Sequence, residues 1–472
     1  MLSGINLVSI FSVLTLIIHG VVMVVRSSRG AIAWGISLIT FPWLAIPLYW
    51  ILGKNEFQEY AVALQNAYLE HHKLVSQVYS TINEFKAELP GKFCALEKLA
   101  AVFTSLPFTI GNEIELLIDG QQTYREMLRA IAQAQDYILL QSYIINDDRI
   151  GNEFKQALID KANQGVRINL LYDKIGSRQL SRNYLKSLRQ HGIQVKGFGS
   201  TRRKGNRFQI NFRNHRKILI VDGEIAFMGG LNIGDEYLGK NPRFGSWRDT
   251  HLKIRGTAVQ CLQSVFLGDW YWVTREIPQV SWEVKESTKY HQTALILPTG
   301  PADKFDNCNL FFLSLIERSQ SRIWIASPYF VPNNSILNAL KLAALRGVDV
   351  RIILPNRPDH LSVYLCSFSY YTELQALGIK LYRYRSGFMH QKVILIDRDI
   401  AGVGTTNLDN RSFFLNFEVM TFSIAEKFIN NVESMLQEDL NLSRSVNLNA
   451  YQQKPFWFKL SARVFRLLAP IL

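Results

Sequence analysis

Two short segments of the sequence carry the same four types of side chain in the same order and at nearly the same spacing. In each, a histidine stands two residues before a lysine, a run of four apolar residues follows, and an aspartate and an asparagine come next. The first set is His215, Lys217, Asp222 and Asn232, and the second is His390, Lys392, Asp397 and Asn407. One such match is a weak signal, but two in one chain indicate a duplicated half-site.

Paired histidines with lysines and asparagines around them are suited to displacement at a phosphodiester. A neutral imidazole can attack phosphorus and hold it as a phosphohistidine, while the opposite imidazolium protonates the departing oxygen. Lys217, Lys392, Asn232 and Asn407 are expected to surround the phosphoryl oxygens and to stabilise the charge that builds in the transition state. Because the cations belong to the protein, the site is expected to need neither a metal ion nor another cofactor.

Each imidazole also needs a neighbour that fixes its tautomer, and two carboxylates are candidates. Asp249 in GSWRDTHLKI follows the first histidine, and Glu418 in FFLNFEV follows the second by a similar stretch, each at a predicted strand start. Asp222 and Asp397 complete the motifs and are counted with the candidate catalytic residues. On a regular strand, however, they stand one residue off the histidine face, which predicts a structural salt link.

Hydrophobic periodicity predicts the elements that must position these side chains. Apolar runs at 218–221 and 393–396 predict strands, in which a histidine and a lysine two residues apart share one face. Further strand patterns occur in both halves: 136–145 with 321–331, 165–173 with 347–355, and 192–198 with 378–384. Helical stretches alternate with them, such as 152–164 and 335–346.

This repetition predicts an α/β fold built of two tandem domains, residues 108–285 and 286–445. Each domain is expected to have a mixed sheet flanked by helices. If the domains pack about a pseudo-twofold axis, His215 and His390 face each other across one cleft, and each domain supplies half of the site.

The first 54 residues differ in composition from the rest. Residues 4–25 and 31–52 are apolar runs without a charged side chain, each long enough to cross a bilayer as a helix. A cleaved signal peptide is the alternative, but the first run lacks a basic start and a second run follows at once. We predict a transmembrane hairpin at 1–54 and a helical connector at 55–107.

The charge balance favours a polyanionic partner. Lys and Arg number 53 against 39 Asp and Glu, a net charge of +14, which suits nucleic acid or anionic lipid. The stretch from Thr201 to Val221 contains no acidic residue and accumulates arginine and lysine beside the first motif. The apolar N-terminal runs favour a lipid surface over nucleic acid. Four widely spaced cysteines argue against a disulfide framework or a zinc site.

The C-terminal tail, residues 446–472, has a basic amphipathic pattern. Lys459, Arg463 and Arg466 share one helical face next to apolar side chains, and no acidic residue follows Asp439. Such a helix can lie in a membrane interface. The alternative is a helix that closes the core of the second domain.

The doubled H-x-K-x4-D pattern with trailing glycine and asparagine resembles the phospholipase D superfamily across both predicted domains. Finer features, NHRK, GGLNIGDEY, WRD, FMHQK and VGTTNLDNRSFFLNFE, together with RSSRGAIAW in the hairpin, resemble the bacterial cardiolipin synthases. Gly230 stands where many relatives have serine, whereas Thr405 keeps a hydroxyl in the second half. The expected effect of this departure is the loss of one phosphate hydrogen bond.

That resemblance implies a transphosphatidylation in the bacterial inner membrane by a multi-pass protein. One phosphatidylglycerol gives its phosphatidyl group to a histidine, glycerol leaves, and a second phosphatidylglycerol attacks to form cardiolipin. The resemblance makes His215 the nucleophile and His390 the general acid and base.

Other functions are compatible with the same motifs. A phospholipase or nuclease of the same superfamily would use the same histidines with water as acceptor, and a transferase could take another donor such as phosphatidylethanolamine. A non-catalytic membrane scaffold would leave two intact motifs unused. The sequence does not fix the oligomeric state, for which a homodimer is one possibility, or the membrane face that holds the site.

Overall fold

The computed structural model describes residues 57–199, 211–285, 290–447 and 451–469, together with Ser37, Trp43 and Ala45. The chain divides into two compact units, Met1–Phe57 with Ser200–Phe212 and Gln58–Gly199 with Arg213–Leu472. In the smaller unit, the rings of Phe57 and Phe212 stack with centroids 5.1 Å apart. The predicted transmembrane hairpin lies outside the described residues, except for the three single positions. Within the described ranges, no helix combines the length and apolar character needed to cross a membrane.

Helices lead into the larger unit and alternate with its strands. The connector contains Gln58–Glu70, His72–Glu84 and Cys94–Phe103, with a 3₁₀ turn at Gly91–Phe93. The later helices are Asp119–Gln133, Arg149–Asn163, Arg182–Gln190, Thr257–Thr274, Asn307–Arg318, Asn334–Leu345, Leu361–Phe368, Tyr371–Gln375, Asn410–Phe414, Glu426–Asn441 and Phe456–Leu467, with a 3₁₀ turn at Asp235–Leu238. Several helices begin at a side chain that accepts a hydrogen bond from the first turn. These caps are Asp148, Ser181, Asn333 and Asp409.

The described strands of the first half are β1 Thr109–Ile118, β2 Tyr137–Ser142, β3 Arg167–Asp173, β4 Gln194–Phe198, β5 Arg213–Asn214, β6 Ile218–Val221, β7 Ile225–Gly229, β8 Trp247–Arg248 and β9 Thr250–Gly256. Those of the second half are β10 Gln292–Thr299, β11 Arg322–Ala326, β12 Phe330–Val331, β13 Asp349–Pro355, β14 Lys380–Tyr384, β15 Phe388–Met389, β16 Val393–Ile396, β17 Ile400–Gly404, β18 Leu408–Asp409, β19 Asn416–Ser423 and β20 Ser443–Ser445.

One mixed sheet runs through both halves. Its order is β20-β14-β13-β11-β16-β17-β19-β10-β1-β9-β7-β6-β2-β3-β4, and β5 pairs with β19. The antiparallel pair β1 and β10 lies at the centre. On one side follow β9, β7, β6, β2, β3 and β4, and on the other side their equivalents β19, β17, β16, β11, β13 and β14 follow in the same order. The expected mixed α/β architecture is confirmed, but the two sheets predicted from the repeat are joined at β1 and β10 into one.

Two hydrophobic cores stabilise the sheet. One belongs to the first half and includes Leu140, Phe154 and Leu219, and the other belongs to the second half. The connector contributes Phe93 and Leu96 to the second core. Strands such as β6 and β16 are buried along their whole length, which explains why they read as continuous apolar runs. The four cysteines are free thiols.

The motif aspartates, Asp222 and Asp397, lie in the turns after β6 and β16, both with a φ of 53°. The Asp222 carboxylate accepts hydrogen bonds from the backbone N–H groups of residues 135–137 at 2.7–2.8 Å. The Asp397 carboxylate accepts those of residues 320–322 at 2.7–2.9 Å. In place of the expected salt link, each carboxylate ties its turn to the start of the neighbouring strand, β2 or β11. This position favours a structural task over the catalytic one with which they were grouped.

Asp397→Asn is therefore expected to lower the free energy of unfolding by about 2 kcal/mol. Asparagine keeps the size of the side chain and tolerates the left-handed turn, but it offers one acceptor oxygen where the carboxylate offers two, and it has no charge. Thermal unfolding checks this, with Asp399→Asn as the matched control because, among the described residues, the Asp399 carboxylate pairs with Lys92 at the surface. Equal melting temperatures for the two variants would contradict the anchoring role.

Candidate active site

Both His-x-Lys groups lie in extended links just before β6 and β16, not inside the strands as predicted. Each link follows a two-residue strand that pairs with the other half of the chain, β5 with the start of β19 and β15 with β8. The backbone N–H of His215 then donates to the carbonyl oxygen of Phe417 at 2.9 Å, and that of His390 donates to Arg248 at 2.8 Å. The backbone of each histidine is thus hydrogen-bonded to the half that carries the other histidine.

The orienting carboxylates cross between the halves in the same way. His215 Nδ1 lies 2.9 Å from Glu418 Oε2, and His390 Nδ1 lies 2.8 Å from Asp249 Oδ2. The sequence placed both carboxylates behind the rings but assigned each to the histidine that precedes it in the chain. The structure exchanges these partners, because Glu418 directly follows the residue that holds the His215 backbone and Asp249 directly follows the one that holds His390.

Two buried ammonium groups stand beside the imidazoles. Lys217 Nζ donates to the carbonyl oxygen of His215 at 2.5 Å, and Lys392 Nζ donates to that of His390 while lying 2.9 Å from His390 Nδ1. Burial lowers the pKa of Lys217 well below its ordinary value, and it lowers the pKa of Lys392 to about 8. The charge of Lys392 also lowers the pKa values of Lys217 and His215, so groups from both halves act in one electrostatic cluster.

The imidazoles are held neutral near pH 7. Burial lowers the pKa of His215 to about 4, and the charges of Lys217 and Lys392 add to the effect against Glu418. Burial, and then the charge of Lys392, lower the pKa of His390. A neutral imidazole that donates its Nδ1–H to a carboxylate keeps the Nε2 lone pair for attack on an electrophile.

The two orienting carboxyls stay ionised although they are fully buried. Burial alone would raise the pKa of Asp249, but the Nδ1–H that His390 donates and the charge of Lys392 outweigh it and hold the pKa well below its ordinary value. The pKa of Glu418 is lowered against burial by His215, which donates its Nδ1–H to the carboxylate, and then by the charge of Lys217. Each anion can therefore stabilise an imidazolium that forms beside it.

The predicted phosphate ligands Asn232 and Asn407 are unequal. Asn232 Nδ2 donates to the Tyr237 hydroxyl at 3.0 Å, and its Oδ1 accepts the N–H of Ile144 at 3.1 Å, so this amide already supports its loop. Asn407 Oδ1 is buried and has no hydrogen-bond partner in the part of the chain that the structure describes. The second amide can therefore offer its oxygen to a hydroxyl group of a substrate.

Aromatic rings lie beside both imidazoles. The rings of Tyr143 and His215 meet edge to face with centroids 4.9 Å apart. Trp247 and Phe388 contact His390 at 5.2 and 6.1 Å. These rings restrict how each imidazole can turn.

Two buried carboxylates that the sequence patterns did not indicate support the motifs from behind. Asp269, on the helix Thr257–Thr274, receives Arg216 Nη1 on both oxygens at 2.9 Å. Asp439, on the helix Glu426–Asn441, accepts Gln391 Nε2 at 2.6 Å and a bidentate pair from Arg248 at 2.7 and 2.9 Å. The middle residue of each His-x-Lys group was the available signal, because it alternates to the opposite side and a polar side chain buried there needs a partner.

Arg216 also requires a correction, since it was counted in the basic surface beside the first motif. It is buried and paired with Asp269, so it cannot present charge to a lipid headgroup. Residues 201–210, which carry most of that basic stretch, lie outside the described residues.

Gly230 has a different consequence from the one expected. A Cβ atom built there would lie 2.0 Å from Asp249 Oδ1. The glycine therefore leaves room for the carboxylate that orients His390. In the second half, Thr405 Oγ1 accepts the backbone N–H of Val419 at 2.9 Å.

His251 is a third buried imidazole close to the site. It lies in β9, its Nδ1 has no hydrogen-bond partner within the described ranges, and burial lowers its pKa to about 3. Because the folded pKa is below that of the unfolded chain, the unfolded chain takes up the proton first as the pH falls. The stability that neutral His251 and His215 contribute above about pH 6.5 is lost progressively below it.

We expect the free energy of unfolding to fall between pH 6.5 and 4 by up to about 1.4 kcal/mol per pH unit for each such histidine. His251→Leu is expected to make this dependence shallower, whereas His191→Leu, at an exposed position, should leave it unchanged. Denaturant unfolding at several pH values measures both slopes. An unchanged slope in His251→Leu would show that this imidazole is not held neutral by burial.

A family model described as cardiolipin synthase, PLD-like domain, matches residues 127–270 and 312–440. The chain is 42% identical over 459 residues to cardiolipin synthase A of Pseudomonas fluorescens Pf-5, which covers 96% of this chain and 95% of the relative. It is also 42% identical over 458 residues to cardiolipin synthase A of Pseudomonas aeruginosa LESB58, with 96% and 93% covered.

Among solved structures, the phosphatidylserine synthase of Haemophilus influenzae Rd KW20 aligns with a TM-score of 0.63 at 14% identity, covering 81% of this chain and 100% of that chain. At this identity the likeness concerns the fold alone, and it supports the mixed α/β architecture of the larger unit.

Proposed function

The chain belongs to the cardiolipin synthase family of phospholipase D-like phosphatidyltransferases, and from that premise we propose that it converts two phosphatidylglycerol molecules into cardiolipin and glycerol. The observation that carries this proposal is the pair of crossed contacts, His215 with Glu418 and His390 with Asp249. Two imidazoles, each oriented by an anion, supply a nucleophile and a proton carrier in one buried cluster.

In the first half-reaction, His215 Nε2 attacks the phosphorus of one phosphatidylglycerol. The bond between phosphorus and the headgroup oxygen breaks, and His390 gives its proton to that oxygen so that neutral glycerol leaves. The phosphohistidine keeps its Nδ1–H toward Glu418, whose charge stabilises the cationic ring. This assignment of the two roles follows the superfamily resemblance.

In the second half-reaction, a hydroxyl of another phosphatidylglycerol attacks the same phosphorus. His390, now neutral, takes the hydroxyl proton, and the bond between phosphorus and His215 breaks. The product is cardiolipin, and both histidines return to their first protonation states. Asn407 Oδ1, which is buried and has no hydrogen-bond partner among the described residues, would accept a hydrogen bond from the attacking hydroxyl.

The lysines act on the negative charge of the phosphoryl group in both steps. A phosphodiester brings one negative charge, which opposes the effect of Lys392 on His390 and so raises the pKa of the imidazole when substrate binds. His390 can then carry a proton near neutral pH. Lys217 and Lys392 stabilise the phosphoryl oxygens in the transition state, so the mechanism routes no step through a metal ion.

Location follows from the same proposal. The apolar runs at 4–25 and 31–52 and the net charge of +14 support a multi-pass protein of the bacterial inner membrane that works on anionic phospholipid. Its partners are therefore the bilayer and phosphatidylglycerol, and not nucleic acid.

The deciding experiment supplies the purified chain with phosphatidylglycerol in the presence of excess chelator. Cardiolipin and free glycerol are expected in equal amounts. Phosphatidic acid as the main product would identify a hydrolase, and nicking of plasmid DNA a nuclease. Loss of activity on chelation, restored by a divalent ion, would overturn the metal-independent mechanism. Labelled phosphatidylethanolamine in the same mixture tests the alternative donor, because its label would then enter cardiolipin.

A further inference from the structure

The C-terminal helix Phe456–Leu467 docks on the second half through one face only. Phe458 and Ala462 are buried, and the ring of Phe458 meets that of Phe368 with centroids 5.1 Å apart. Arg466 lies over the ring of Tyr370 at 4.3 Å and pairs with Glu373 at 3.1 Å. These contacts fix the rotation of the helix about its axis, and with it the direction of the opposite face.

That opposite face is apolar and exposed. Its side chains recur every three or four residues and so form one stripe along the helix. They are between 42% and 80% exposed: Phe456, Trp457, Leu460, Val464, Leu467 and Leu468. The two expectations for the tail, a core-closing helix and an interfacial helix, therefore each describe one side of it. A contiguous apolar stripe of this size on a protein surface marks an interaction site.

The charges around the stripe indicate its occupant. Lys459 and Arg463 lie on the same helix, and Lys454 stands just before it. No acidic side chain follows Asp439 in the sequence. An apolar stripe that has cations along one flank, on a helix without an acidic side chain, matches a bilayer with anionic headgroups above an acyl interior.

The helix is also tied to the site. Asn410 Nδ2 donates to the carbonyl oxygen of Ala469 at 2.9 Å and to that of Val331 at 3.2 Å. Asn410 follows Asn407 by three residues and begins the short helix after the second motif. The segment just after the C-terminal helix is therefore hydrogen-bonded to the short helix that follows the second motif.

We propose that the C-terminal helix lies in the surface of an anionic bilayer, with the stripe in the acyl boundary and the basic side chains at the headgroups. The contact holds the second motif close to the lipid, so that a phosphate reaches the histidines with little movement out of the membrane. The link to catalysis rests on the proposed function, whereas the membrane contact itself does not.

The contact can be located in the full chain reconstituted into vesicles of phosphatidylglycerol and phosphatidylcholine. A nitroxide is attached at Val464→Cys in a Cys94→Ser background, because Cys94 is the exposed native thiol among the described residues. We expect high accessibility to oxygen and low accessibility to a nickel chelate, the pattern of a bilayer position. The control label at Gln453→Cys, also exposed, should be accessible to the chelate.

Activity tests the consequence. Leu460→Ser with Leu467→Ser is expected to lower cardiolipin formation from vesicles at limiting lipid by about tenfold, because apolar surface no longer enters the bilayer. The rate with a short-chain, water-dissolved phosphatidylglycerol and the melting temperature should not change. Gln452→Ser with Gln453→Ser is the matched control and should behave as the parent chain.

Four results would overturn the inference. They are a water-accessible label at position 464, a label shielded from both relaxants as by a second protein surface, an unchanged vesicle rate in the leucine variant, and an equal loss with both substrates and a lower melting temperature. If the parent chain makes no cardiolipin, the proposed function fails, but the label at position 464 still reports whether the helix meets the membrane.

Discussion

Replacing either His215 or His390 with alanine is expected to reduce cardiolipin formation by at least about 10³-fold. In the proposed mechanism the two imidazoles act on one phosphorus atom, one as nucleophile and one as proton carrier, so neither can work without the other. For the same reason, the double variant should be no slower than the single ones, because groups that act as a unit have non-additive effects. The measurement is the initial rate of cardiolipin release from phosphatidylglycerol, normalised to folded protein.

The matched control is His191→Ala, which removes an exposed imidazole outside the cluster and should keep the parent rate. A residual rate near one half in either single variant would mean that each half runs its own reaction. That result would contradict the shared site on which the proposed mechanism depends.

The second large effect is expected from the crossed carboxylates. Glu418→Gln and Asp249→Asn should each lower the rate by about 10²–10⁴-fold, since each removes the anion that orients one imidazole and stabilises its charged form. The crossing adds a sharper expectation. Glu418→Gln should lower the pKa of His215, and Asp249→Asn that of His390, because an anion beside an imidazole favours its protonated state.

The pKa of each histidine can be measured from the pH dependence of its modification by diethyl pyrocarbonate, resolved peptide by peptide with mass spectrometry. Glu224→Gln, which removes a surface carboxylate paired with Lys285, is the control and should shift neither value. If Glu418→Gln moved His390 and left His215 unchanged, the carboxylates would be paired within each half, as the sequence alone suggested.

Much of the fold could be predicted from local patterns. The strand expected at 165–173 is β3, Arg167–Asp173, and the helix expected at 152–164 is Arg149–Asn163. These elements follow from the periodic burial of side chains, which neighbouring residues in the sequence already express. The joining of the two sheets at β1 and β10 was missed because pairing between distant strands leaves no such periodic trace.

In the site too, what neighbouring residues determine could be predicted, and what distant strand pairing determines could not. The motifs identified His215 and His390, but the exchange of their carboxylates depends on β5 and β15, which are two residues long and pair with strands of the other half. Strands this short have no periodicity to read. For Asp222 and Asp397 the structural role was predicted but the partner was not, since their left-handed backbone ends the strand alternation from which their direction was inferred.

The crossed seating of the two histidines also constrains how the chain can change over generations. Each half alone would hold a histidine without the carboxylate that orients it, so under the proposed mechanism neither half could be lost or replaced by itself without loss of activity. The two pairs join distant positions of the sequence: His215 and Glu418 are 203 residues apart, and Asp249 and His390 are 141 residues apart. Among homologues, a substitution at one member of a pair should therefore occur together with a substitution at the other. A chain made of one half alone would need to dimerise in order to place a carboxylate beside its histidine.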